Sequence, residues 1–191
     1  MIKLKNLILE YVAGGGIEVR PMKQDEIGFW KLFYSQHYLS QNSDSGIKYK
    51  FLILYNGTPI GIIGYGNVSG VGVIPSLNSM AGENLFNTSN VVELRRLFIK
   101  DDVNVHNAES QAISAGNIEI SKLIPELQLI ITFADPKAGH KGTIYKATNA
   151  IYTGSAGSGK HRFIYFAGNR RSDEGKRTLQ FLDRIKKPYS S

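Results

Sequence analysis

The stretch Leu127-Gln128-Leu129-Ile130-Ile131-Thr132-Phe133-Ala134-Asp135-Pro136-Lys137-Ala138-Gly139-His140, running on through Lys141-Gly142-Thr143-Ile144-Tyr145 to Tyr152-Thr153-Gly154, decides how the chain is read. Its apolar run, residues 127–133, has the length and β-branched content of an interior strand. Asp135-Pro136 ends the run, because proline has no N–H for the ladder and turns the residue before it away from helix. Helix is predicted from about Gly142, with Tyr145, Asn149 and Tyr152 on one face by the 3.6-residue period. Strand, polar turn and helix follow one another, which presents Asp135 and His140 at a strand's carboxyl end. In open α/β sheets ligands bind at that end, where the crevice is open and helix amides attract anions. An Asp-Pro turn alone is weak support for a site. Five polar or aromatic groups within one unit single it out.

The 191 residues suit one domain, 1–191, ending in a basic tail over about 172–191. Cysteine is absent, which removes disulfides, thiolate metal ligands and a cysteine nucleophile. No apolar run reaches membrane-spanning length and residues 1–16 lack the apolar core of a signal peptide, so a soluble, intracellular protein without a membrane partner is expected. The net charge of +7 favours polyanionic partners, although it also serves plain solubility.

Residues 17–20 read as a short strand and 23–39 as a helix, with Ile27, Trp30, Phe33 and Tyr34 near one apolar face. Two apolar runs, 49–55 and 60–65, flank Asn56-Gly57-Thr58-Pro59, a strong hairpin signal. Residues 66–90 are rich in Gly, Ser and Asn and read as a long loop with room for a short helix. A strand over 91–99 carries Glu93, Arg95 and Arg96. Helical spacing follows over 107–123, weakened by Gly116. A strand over 161–166 and a basic, helix-like tail over 172–187 close the chain. A mixed, α/β (α+β) sheet flanked by helices accommodates this order.

Gly154-Ser155-Ala156-Gly157-Ser158-Gly159-Lys160-His161 has the G-x-x-x-x-G-K spacing of a nucleotide-binding loop. It places His161 where a Ser or Thr should hold magnesium, and a helix is expected before it and a strand after it, the reverse of what such loops require. It reads as a basic loop. Gly61-Ile62-Ile63-Gly64-Tyr65-Gly66 opens no helix and reads as a strand that something approaches closely. His37-Tyr38 pairs an imidazole with a phenol. A helix-end His beside a core Tyr is the plain account, a metal-ligand or acid–base pair facing Asp135 the functional one. Asn107 to Ser110 opens a helix after a turn, so its amides and the Ser110 hydroxyl suit a phosphate, or merely cap the helix. Arg162, Arg170, Arg171, Lys176 and Arg177 lie among Phe163, Tyr165, Phe166 and Phe181, a basic-aromatic region suited to phosphate-backbone contact.

The run Phe133-Ala134-Asp135-Pro136 to Gly139-His140-Lys141-Gly142-Thr143-Ile144-Tyr145-Lys146-Ala147-Thr148-Asn149 and Tyr152-Thr153-Gly154 resembles the signature of Mom-type phage DNA-modification proteins. Glu93-Leu94-Arg95-Arg96-Leu97, Asn107-Ala108-Glu109-Ser110 and His37-Tyr38 resemble the same family in the same order. The resemblance implies a GNAT acyltransferase-like fold and conversion of adenine in double-stranded DNA to N6-(carbamoylmethyl)adenine, which shields phage DNA from restriction in the bacterial cytoplasm. It implies an acetyl-CoA or other acyl-CoA site where the fourth and fifth strands part, yet Val105-His106-Asn107-Ala108-Glu109-Ser110 lacks the glycines of such a site.

Adenine's exocyclic amine is a poor nucleophile and is paired in duplex, so the base is expected to be flipped into a pocket. Asp135, His37, Tyr38 and Tyr145 are the catalytic candidates. Arg96, Ser110 and Asn107 are the cofactor candidates, and His140, Asn149, Arg162, Arg170, Arg171, Lys176 and Arg177 the DNA-binding ones. His37, Tyr38 and Asp135 alternatively suit iron(II). A GNAT-type N-acetyltransferase of a small amine or protein and a non-catalytic DNA-binding protein remain alternatives, and the oligomeric state, a homodimer included, stays open.

Overall fold

The computed structural model describes residues 16–36, 44, 46–156 and 158–189. His37 and Tyr38 lie outside the described residues. Strand β1 (Ile17–Pro21) leads through a single 3-10 turn, Gln24–Glu26, into helix α1 (Ile27–Gln36). That helix forms around one apolar face: Trp30 and Phe33 are buried against Ile47, Leu52, Leu54 and Ile62. Strands β2 (Ile47–Tyr55) and β3 (Thr58–Gly66) make the expected hairpin. Asn56 and Gly57 turn it with φ of 50° and 77°, the left-handed pair that matches the twist of the strands.

The Gly/Ser/Asn-rich region after β3 contains helix α2 (Val73–Ala81), ended by Gly82 at φ 77°. Strand β4 (Val91–Ile99) and helix α3 (Ala108–Leu123) follow as expected. Gly116 is explained by packing, since a Cβ there would lie 2.6 Å from the Tyr65 hydroxyl. Strand β5 (Leu129–Ala134) is the buried run of the opening stretch.

Beyond it the structure corrects the predicted helix. Helix α4 spans only Thr143–Ala147, and strand β6 (Ile151–Ser155) replaces the rest. The Thr148 hydroxyl bonds back to the carbonyls of Ile144 and Tyr145, and Asn149 takes φ 65°, which ends the helix. Asn149 and Tyr152 therefore do not share a helix face with Tyr145. Strand β7 (His161–Phe166) completes a hairpin with β6, so a strand, not a helix, precedes the glycine-rich loop. No helix follows that loop, and the reading of it as something other than a phosphate loop stands. Helix α5 (Asp173–Ile185) is no loose tail, because Thr178, Phe181 and Leu182 are buried.

The seven strands form one sheet in the order β1-β2-β3-β4-β5-β7-β6, antiparallel except for the parallel pair β4–β5. Side-chain alternation gives it two faces. Val92, Leu94, Ile130 and Tyr165 pack with α3 residues Ala112, Ile113 and Ile120 on one. On the other, α1 covers β2 and β3, while Leu77 of α2 and Phe181 and Leu182 of α5 cover Val91, Leu129, Ile131 and Ile164. No helix among the described residues is long and apolar enough to cross a membrane.

Candidate active site

The site begins where β4 and β5 stop pairing. Their parallel register covers only Val91–Leu129, Val92–Ile130 and Glu93–Ile131. Beyond it β4 turns to β3 and β5 to β7, with the Thr132 hydroxyl still reaching the Leu94 carbonyl at 3.3 Å. The parting coincides with an irregularity in β4: Gly64 pairs with Arg96 and Tyr65 with Leu94, so Arg95 is the extra residue of a bulge. Bulges re-aim side chains beside functional sites. Here the bulge puts three charged residues, Glu93, Arg95 and Arg96, around the mouth of the split.

Glu93 is buried, 7% exposed, and its carboxylate accepts the Ser69 N–H at 2.5 Å. Burial pushes its pKa up against the opposing pull of Ser69, Arg95 and Lys160. Arg95 donates to the Asn67 carbonyl at 3.0 Å, which ties the loop after β3 to the bulge. Arg96 donates to the Arg95 carbonyl at 2.7 Å and to the Tyr34 hydroxyl at 3.2 Å, while its buried Nε has no hydrogen-bond partner among the described residues. An unpartnered buried guanidinium N–H is costly unless an acceptor arrives.

Asp135 stands at the carboxyl end of β5. Its side chain accepts the Lys137 N–H at 3.0 Å, its backbone carbonyl accepts the His140 N–H at 3.0 Å, and Lys160 approaches the carboxylate at 3.6 Å. The carboxylate is partly exposed, and Lys160 links it electrostatically to Glu93. Lys160 is a site residue that sequence reasoning passed over inside the false phosphate loop. Glu93 was visible as a charge within a strand, a signal not taken up.

The remaining candidates separate. Tyr145 packs its ring 5.4 Å from Phe163, which also meets Tyr152 and Tyr189, so it supports the Asp135 turn from the α3 face. Tyr152 faces the His161 Nδ1 at 3.2 Å, Asn149 is exposed in the turn before β6, and His140 is exposed after the Asp135 turn. Asn107 precedes α3 with φ 56° and makes no side-chain cap, leaving the first-turn amides up to Ser110 without that partner. Arg162 donates its Nε to the Thr153 hydroxyl at 2.8 Å, and burial lowers its pKa. Arg170, over the Phe166 ring, and Arg171 follow β7 near the start of β5, at the opposite end of that strand from Asp135. Lys176 and Arg177, on α5, pair with Asp173 and Glu83. Among the described residues no group of three or more His, Asp or Glu could hold a metal ion. Two of the three iron ligands expected, His37 and Tyr38, lie outside the described residues, so iron has no support from this geometry.

A family model described as the Mom protein family matches residues 28–178. A methylcarbamoylase, mom, of Escherichia phage Mu is 38% identical over 64 residues, a stretch covering 34% of this chain and 26% of the phage protein. Among solved structures, the aminoglycoside acetyltransferase AAC(6')-Ib with paromomycin and acetyl-CoA superposes with a TM-score of 0.58 at 14% identity, over 83% of this chain and 99% of that one. The GNAT family N-acetyltransferase YhbS of Escherichia coli with CoA gives a TM-score of 0.56 at 10% identity, over 90% and 87%. The fold is thus that of the GNAT acetyltransferases, as the resemblance implied.

Proposed function

The chain belongs to the Mom protein family, and from that premise we propose that it is a DNA-modifying transferase acting on adenine in duplex DNA, with N6-(carbamoylmethyl)adenine as product. The observation that carries the reading is the parting of β4 and β5 with Glu93, Arg96 and Asp135 at its mouth. A DNA amine that enters there meets carboxylates to hold it and a buried guanidinium to take a negative group.

The donor site fits an acyl-CoA in two respects. The Arg96 Nε needs an acceptor, and the first turn of α3, uncapped by Asn107, offers the amides up to Ser110 to a diphosphate. A thioester held there would give an N6-acyl adenine with the CoA thiol as leaving group; a carbamoylmethyl product would instead require a donor whose methylene carries the leaving group. The chain's own residues do the rest: Asp135, fixed by Lys137 and Lys160, orients the adenine amine and takes the proton it loses on forming its new bond. Direct acyl transfer places a carbonyl carbon on N6, whereas a carbamoylmethyl group places a methylene there, so the adduct's mass tells acetylation from carbamoylmethylation and its fragmentation tells the carbamoylmethyl group from an isomeric glycyl amide.

Mass spectrometry of nucleosides from DNA of cells expressing the protein is the test. A carbamoylmethyl adduct on adenine is expected, lost in Asp135→Ala with no more than about 1 kcal/mol change in stability, since the carboxylate's contacts are partly exposed. Unmodified DNA from the wild type would sink the reading. Loss of folding in Asp135→Ala would reduce Asp135 to a turn residue.

A further inference from the structure

A base within a duplex must leave the stack before its exocyclic amine can enter a split between strands, and something has to fill the gap it leaves. Among the described residues one large apolar side chain is more exposed than any other. Val71 is 100% exposed at the tip of the loop between β3 and α2. It sits between Gly70, at φ 110°, and Gly72, and a Cβ added at Gly72 would meet nothing within 4 Å. Lone exposed apolar residues are ordinary on protein surfaces, so the exposure by itself says little. The setting says more.

The stem of the loop is pinned to the site. Ser69 donates to Glu93, Asn67 accepts from Arg95, and the Val73 N–H closes on the Gly70 carbonyl at 3.2 Å. A mobile tip loses its orientation on contact, whereas this one stands on β4 and on the first turn of α2. At its foot opens a cavity of about 430 Å³ that Gly70 and Val71 themselves help to line, with Val68, Ile74, Phe86 and Val91. It lies at the Val91 end of β4, where β4 and β5 still pair, so the loop stands between it and the split. The positive charges of Arg95 and Lys160 act on Glu93, to which the stem of the loop is bonded.

We infer that residues 69–72 form a duplex-opening wedge: Val71 enters the stack at the adenine to be modified, and the extruded base turns into the split that Glu93 borders. This rests on the DNA-modifying reading above. No bond forms or breaks in the step, which exchanges one base stack for contact with an aliphatic side chain.

The test uses the full chain and duplexes in which a 2-aminopurine–thymine pair is flanked by randomised bases. Binding is followed by fluorescence anisotropy of a labelled end, and extrusion by 2-aminopurine emission. The wild type is expected to brighten the probe, and Val71→Ser to cut that rise about tenfold, because unstacking is left unrewarded. Its affinity is expected to change less than about twofold, because phosphate contacts dominate binding. Val71→Phe should keep the rise. A duplex whose 2-aminopurine faces an abasic site should brighten with Val71→Ser as with the wild type, since little stacking is left to break. A wild-type rise in Val71→Ser on the paired duplex overturns the wedge while leaving the DNA reading intact. Absence of duplex binding by the wild type overturns both. Thermal melting of Val71→Ser should match the wild type, as expected for a fully exposed position.

Discussion

Among the described residues, Glu93 is the only acidic side chain that is buried. Its desolvation outweighs the hydrogen bond from Ser69 and the nearby cations, and so its pKa lies above the ordinary carboxylate value. The native state consequently holds a proton that the unfolded chain has already released, over the window from the ordinary value up to the raised one. Stability must fall as pH rises through that window. Glu93→Gln keeps an acceptor for Ser69 and removes the ionisation, so thermal melts from about pH 4 to about pH 8 should find the variant gaining on the wild type as pH rises. Parallel curves would mean that Glu93 is not held protonated by burial. The same residue anchors the loop that carries Val71, so its protonation and the wedge stem share one hydrogen bond.

The elements differ in how openly the sequence announces them. The run of residues 129–134 is buried on both faces and carries the β-branched content that burial demands, and its end at Asp135-Pro136 follows from proline chemistry. Strand β6 was hidden because Tyr145, Asn149 and Tyr152 happen to satisfy a helical period. What decides against the helix is the Thr148 hydroxyl turning back on Ile144 and Tyr145, with Asn149 left-handed. The bulge at Arg95 was illegible for another reason, since it exists only in the pairing of β4 with β3. Gly116 shows the converse, where local propensity and packing oppose each other within α3. Glycine to alanine in a helix interior ordinarily gains about 1 kcal/mol. Here the new Cβ would lie 2.6 Å from the Tyr65 hydroxyl and 2.9 Å from Ile63 Cδ1, both in the core. Overpacking of that kind costs about 1–3 kcal/mol, so Gly116→Ala should lower the denaturant midpoint. A raised midpoint would mean that the core yields freely at Tyr65.

Among the described residues of the whole molecule the excess charge is not one patch, although the sequence places much of it in the last quarter of the chain. Arg162 is turned inward to Thr153, and Lys176 and Arg177 are matched by Asp173 and Glu83. Arg170 and Arg171 are exposed at the far end of β7, while Lys160 stands at Asp135. Helix α5 begins near the first of these ends, and its C-terminal extension returns to the second, where the Lys187 N–H meets the Tyr152 carbonyl and Tyr189 closes on the Lys141 carbonyl. Duplex DNA laid across the Val71 tip is therefore expected to meet arginines on one side and the Asp135 turn on the other. Each phosphate contact contributes about 0.9 to the slope of log affinity against log salt. Replacing both Arg170 and Arg171 by Gln should flatten that slope by nearly two such contacts. Lys176→Gln with Arg177→Gln should flatten it less, because a carboxylate already sits beside each cation. Arg162→Gln should leave the slope alone and lower the melting temperature, since Thr153 loses its donor. Equal flattening by all three sets would mean that net charge, and not its placement on the fold, governs binding.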